Sequence, residues 1–225
     1  MKITKDYPGL TRAENDYILI GDLISEEGID IDLDDRLVVT GSVKAGGGIK
    51  AGCGIGAGRG IEAGRGIEAG WGIEAGGGIE AGWGIKAGCG IEAGCGIEAG
   101  WGIKAGCGIE ARGEIEAGWG IKAGWGIKAG CGITAGGGIE AGCGIKAGCG
   151  IEAGCGITAG TYIDCGKRIF AGTSVYDGDS DCDKTIKCAE LLNGTVAYGE
   201  LVITKLKRSR QNLSNGGIKA AASFV

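Results

Sequence analysis

The chain has 225 residues, of which 53 are glycine and one is proline, with no histidine and a formal net charge of −5. That length suits one ordinary domain or one solenoid with caps, and the missing histidine removes the commonest general base and metal ligand. Collagen-like packing needs glycine at every third residue. The glycines here alternate at spacings of two and four, which excludes it.

The opening MKITKDYPGL contains no apolar run. Neither a signal peptide nor a membrane segment is therefore expected, and the address is cytoplasmic. In that compartment the 11 cysteines are expected as reduced, buried thiols rather than a disulfide framework. Residues 1–17 read as an arm or cap, and 18–42 as irregular first coils. Ile29, Ile31 and Leu33 alternate there with Asp30, Asp32 and Asp34, the period of a half-buried strand. A calcium loop built on these aspartates would expose Ile31 and Leu33. The run Asp30, Asp32, Asp34 and Asp35 is therefore read as a solvated acidic face and a candidate interaction surface.

From Val43 to Val175 every sixth residue is isoleucine or valine, and most intervening units read Ile-(Glu/Lys)-Ala-Gly-X-Gly. A fixed short period over more than half a chain predicts a solenoid whose coils bury apolar faces only against one another. The residue after each isoleucine is nearly always charged. The residue two places before it, from 71 to 155, is always Trp, Cys or Gly. Since i and i−2 share a face of a strand, this reading puts Ile with Trp/Cys/Gly inside and Glu/Lys outside. Ala-Gly then makes the corner, glycine supplying a backbone conformation that other residues resist.

Ile91-Glu92-Ala93-Gly94-Cys95-Gly96 resembles the hexapeptide-repeat pattern of left-handed parallel β-helices, and the resemblance spans roughly residues 31–175. It implies an all-β fold: a single-stranded parallel β-helix with three six-residue repeats per coil, left-handed, with terminal caps. The five tryptophans stand where that family keeps small residues, so a right-handed or flatter two-sided solenoid is the alternative. An 18-residue register would stack Trp83, Trp101 and Trp119. It would also stack Glu62, Glu80, Glu98 and Glu116, then Glu74, Glu92 and Glu110, and likewise Lys86, Lys104 and Lys122. Cys89 with Cys107, and Cys131 with Cys149, would fall on adjacent rungs.

Beyond the repeat, 176–206 reads as a β-hairpin cap turning at Asn193-Gly194, and 207–225 as a flexible tail. Asp177 to Asp183 lacks the sixth-place glycine and twelfth-place carboxylate of a calcium loop, and reads as an acidic turn.

Acyltransferases of the hexapeptide family use a histidine base, absent here, so no enzymatic activity and no cofactor is expected. Two roles remain. One is a non-catalytic interaction protein whose Glu and Lys rows meet a protein partner with a basic surface, to the point of mimicking a nucleic acid and inhibiting a DNA- or RNA-handling protein. The other is a self-assembling, bactofilin-like rod, a homo-oligomer. Direct nucleic-acid binding is not expected, because the chain is acidic and its tryptophans read as core rather than as stacking platforms.

Overall fold

Ile-X-Ala is the strand and Gly-X-Gly is the corner. In the computed structural model, which describes residues 1–173 and 183–204, each hexapeptide contributes one three-residue strand, such as Ile91–Ala93 and Ile97–Ala99. Isoleucine and alanine, two places apart, point inward while the charged residue between them points out. Every repeat isoleucine from Ile49 to Ile169 is at most 2% exposed. Each one buried stabilises the coil by about 1.5–3 kcal/mol before ordering entropy is counted.

Strands pair in parallel across an 18-residue interval, with Ile61 opposite Ile79 and Ile79 opposite Ile97. Three hexapeptides thus complete one coil, and the molecule is an all-β parallel solenoid with three faces. The first face carries Ile73, Ile91 and Ile109 in register. The second carries Ile79, Ile97 and Ile115, and the third Ile85, Ile103 and Ile121. The third is an 11-stranded sheet. The first and second are joined because the long strands Tyr162–Ala171 and Glu190–Tyr198 turn a corner without interruption. The early coils are looser, Leu23 pairing with Val43 and Ile29 with Ile49.

Several sequence expectations are corrected. The residue at i−2 does not line the interior. The strand begins at i, so i−2 falls in the corner and its side chain projects outward, leaving Trp71, Trp83, Trp101, Trp119 and Trp125 between 52% and 69% exposed. Alanine, assigned to the corner, is instead the second inward residue. Nor do the corner glycines supply left-handed backbone. Positive φ is confined to Gly9, Gly21, Gly172, Gly194 and Gly199 among the described residues. The glycine after alanine is required by close approach: a Cβ on Gly88 would overlap the carbonyl oxygen of Gly70 on the rung below. Arg112 takes that place in one repeat, and its N–H reaches the Ala93 carbonyl at 3.3 Å against 3.0 Å for Gly100 to Ala81.

A further correction is at the C-terminus. Thr185–Cys188 runs parallel to both Ile157–Ala159 and Glu200–Ile203, and Glu190–Tyr198 runs parallel to Tyr162–Ala171. No hairpin forms there. Asn193 and Gly194 lie inside one strand where it bends, Gly194 at φ 111°, so the left-handed residue turns a solenoid corner instead of reversing the chain. Asp177 to Cys182 and the expected tail lie outside the described residues. Asp183 accepts from the Thr185 amide and hydroxyl and from Lys187.

The two glycines of one corner differ in room. A Cβ on Gly90 would stand 3.5 Å from the Gly108 carbonyl oxygen, an ordinary contact. Gly88→Ala should therefore lose about 1–3 kcal/mol through forced backbone displacement. Gly90→Ala should be neutral or gain up to about 1 kcal/mol through the unfolded chain. Urea midpoints of the two variants check this, and equal midpoints would remove the close-approach explanation.

Candidate interaction surface

Because the backbone ladder continues through the corners, outward side chains are held in columns. The Trp101 amide donates to the Trp83 carbonyl at 3.0 Å, and the Trp119 amide to the Trp101 carbonyl at 2.9 Å. The expected 18-residue columns are all present, and like charges run in stretches along them. On the second face Glu62, Glu80, Glu98 and Glu116 stand in register. On the third, Lys86, Lys104 and Lys122 do so. The first face is divided, Glu74, Glu92 and Glu110 giving way to Lys128 and Lys146.

Several of the opposite charges that meet along a column pair. Lys44 binds Glu62 at 2.7 Å, Lys86 binds Glu68 at 2.8 Å and Lys122 binds Glu140 at 2.7 Å, while Lys128 pairs with Glu110. The Lys86 ammonium holds the Glu68 carboxyl below its ordinary pKa, and Glu62 raises that of Lys44. All these pairs are exposed, and each contributes about 0–1 kcal/mol. Glu80, Glu98 and Glu116 have no ion pair among the described residues. Like charges opposite one another in a sheet are destabilising, so this column weakens the coil that carries it.

The acidic N-terminal run serves a different purpose. Asp32 is bound by Lys2 at 2.9 Å, Asp34 by Lys5 at 2.9 Å and by the Tyr17 hydroxyl at 2.9 Å, and Asp35 by Arg12. These aspartates fasten the chain's own first residues across the starting rungs, where the Asp30 amide also donates to the Met1 carbonyl. As an outward interaction surface the run is largely consumed. Lys5 and Tyr17 together hold the Asp34 carboxyl far below the carboxylate range, and Arg36 lowers Asp16.

The tryptophans form the feature that the sequence reading placed in the core. Trp83 and Trp101 stack with centroids 5.8 Å apart and planes 13° apart, and Trp101 and Trp119 at 5.9 Å and 14°. This is offset stacking within the range where aromatic pairs attract. The Arg65 guanidinium covers the outer face of Trp83 at 5.7 Å. The ladder runs along the edge between the acidic second face and the basic third face. Its signal lay in the 18-residue spacing together with the small, constant alanine at i+2, which claims the second inward place. Corner residues are exposed, so burial does not account for the restriction of this position to Trp, Cys and Gly.

The repeat cysteines share these corners and are not buried as expected. Cys89, Cys95, Cys131 and Cys143 are exposed, whereas Cys165 and Cys188 are buried and burial raises their thiol pKa values. The adjacent-rung cysteines Cys89, Cys107, Cys131 and Cys149 are free thiols, and Cys155 is in a disulfide.

Glycine at i−1 leaves a bare lane beside each charged column, forming open grooves of about 1050 Å³ on the third face and about 460 Å³ on the second. The chain itself fills such lanes in places, laying the Tyr162 ring over Gly144, the Asp183 carboxylate over Gly156, the Arg36 side chain over Gly54 and the Glu114 carboxylate over Gly132. No group of His, Cys, Asp or Glu side chains among the described residues could hold a metal ion. No family model, curated protein or solved structure matches the chain.

Trp101→Ala should break the ladder and abolish its exciton signal in circular dichroism, at a cost of about 0.5–1.5 kcal/mol. An unchanged signal would mean the rings do not stack in solution. Acid should loosen the N-terminal fastening. Asp34 and Asp16 are depressed, so their stabilisation is intact above the ordinary carboxylate pKa near about 4 and is lost as pH falls below it. Amide resonances of Asp30 and Asp32 followed on acidification report this. Asp34→Asn should loosen the segment already at neutral pH.

Proposed function

We propose that this chain is a non-catalytic, cytoplasmic binding protein whose second face docks onto the basic surface of a macromolecular partner. The observation that carries the reading is the unpaired column Glu80, Glu98 and Glu116. It costs stability where opposite charges in register, as at Lys122 and Glu140 on the third face, would have added some. Carboxylates in a straight row at about 4.8 Å per rung compare in scale with the 3.4 Å charge interval along one strand of DNA. The finer reading is a nucleic-acid mimic that occupies the basic channel of a DNA- or RNA-handling protein. The six-residue repeat and three-strand coil support a place beside the left-handed hexapeptide-repeat β-helices, and the lack of histidine supports a non-catalytic role.

In a lysate capture quantified by mass spectrometry, E80Q/E98Q/E116Q should lose about tenfold or more of the basic, nucleic-acid-binding proteins retained by the wild type, as should raised salt. Retention of the same partners by the triple variant would sink the reading.

End-to-end association is the second reading. On the last described rung Leu192, Tyr198, Leu201 and Ile203 are 39–50% exposed, and Glu200–Ile203 pairs along one edge among the described residues. An unpaired edge with apolar neighbours is a template for another chain. Light scattering that shows one small species at all concentrations would exclude it.

A further inference from the structure

The tryptophan ladder has two unlike ends. At one end the guanidinium of Arg65 lies over the ring of Trp83. At the other the column stops on Gly137, whose amide donates to the Trp119 carbonyl at 2.6 Å and which has no side chain to continue the stack. Trp119 is accordingly 69% exposed, against 52% for Trp83 and 56% for Trp101. A ring face that elsewhere in the column is covered by indole or guanidinium is here open among the described residues.

The charges around this opening select between the two kinds of cover. The corner at Gly137 is flanked by Thr134 on the second face and Glu140 on the third. Thr134 stands in register between Glu116 and Glu152 on neighbouring rungs. Lys122, the nearest cation in the adjoining column, is already bound to Glu140 at 2.7 Å. An aromatic face edged by carboxylates suits a flat cation. A guanidinium can lie flat on the ring and still donate in plane to a carboxylate, a planar geometry that a compact ammonium does not offer.

We propose that the outer face of Trp119, above Gly137, is a docking site for an arginine side chain of the basic partner, reproducing between molecules the contact that Arg65 makes with Trp83. The proposal rests on the second face as the docking face and specifies the residue that anchors it. It also gives the bare corner a purpose: a side chain at 137 would fill the site. A Cβ there would meet the Trp119 backbone at 3.3 Å, a contact that a shift of a few tenths of an ångström relieves, and the Gly120 amide nitrogen at an ordinary 3.6 Å.

The test uses the full chain and two probes, an arginine homopeptide and a lysine homopeptide of equal length, with the tryptophan indole N–H resonances as readout. The arginine peptide should bind roughly tenfold tighter and should shift the Trp119 resonance, while the lysine peptide should leave that resonance in place. Gly137→Arg, which supplies its own guanidinium, and Trp119→Ala should each abolish the preference for arginine but keep charge-driven binding of both peptides. E80Q/E98Q/E116Q should weaken both peptides and keep the preference. Equal binding of the two peptides by the wild type, or a preference that survives Gly137→Arg, overturns the arginine site alone. An equal shift of Trp119 by an uncharged tryptophan peptide overturns the choice of guanidinium. If neither peptide binds, the acidic docking face falls and the arginine site falls with it.

Discussion

The close approach of one rung to the next at the corners governs this molecule. Glycine is all but required after alanine, because a Cβ there would crowd the carbonyl oxygen of the rung below, as between Gly88 and Gly70 or Gly100 and Gly82, and Arg112 is the exception in the repeat. With no side chain in the way, the backbone turns sharply and its hydrogen-bond ladder continues from strand through corner to strand. Coil length follows from that turn, and the register of every outward side chain follows from the coil length. Isoleucine and alanine then fill an interior whose cross-section is the same at each rung, which is why so few residue types suffice.

Exact superposition of like positions turns small surface effects into directional ones. A single exposed ion pair contributes little, and a single exposed tryptophan would need no explanation. Three tryptophans locked by backbone bonds at one corner become a continuous aromatic edge, however, and four glutamates become a line of charge. The same geometry lets adjacent columns carry opposite signs without interfering, because each row is confined to its own face. The N-terminal segment shows how such a surface is satisfied when a partner is present: Lys2, Lys5 and Arg12 reach across to Asp32, Asp34 and Asp35.

The fold was legible because its cause is periodic. The isoleucine period specified a solenoid and the 18-residue columns specified three strands to a coil, while the charged residue at i+1 identified the outside. The interior was only half legible. Both i−2 and i+2 share the parity of isoleucine, and parity cannot say on which side a three-residue strand extends. The apolar character of Trp and Cys suggested i−2, whereas the constancy of alanine marked the true partner, the second inward residue of each strand. At the C-terminus Asn193-Gly194 signalled a backbone conformation correctly. The same left-handed glycine serves a hairpin or a solenoid corner, and which of the two forms is decided by the open edge of Tyr162–Ala171 that the segment meets.

Misplacing the tryptophans inside hid the main candidate site, and the reason bears on what the site is for. Residues excluded from a position by packing and residues excluded by recognition leave the same gap in a sequence. Here packing does not explain the gap, because the corner side chains stand in solvent and Arg59, Arg65 and Lys167 occupy equivalent corners near the ends of the repeat. Lysine or glutamate at 83, 101 or 119 would set a charge beside the acidic second face and interrupt the ladder. The charge-free corner is therefore a property of the surface. It keeps the acidic column on one side and the basic column on the other electrically distinct, separated by an aromatic edge with its own affinity for flat cations. A partner that reads this surface has to satisfy a line of carboxylates and an aromatic face together, and that joint demand is more selective than either feature alone.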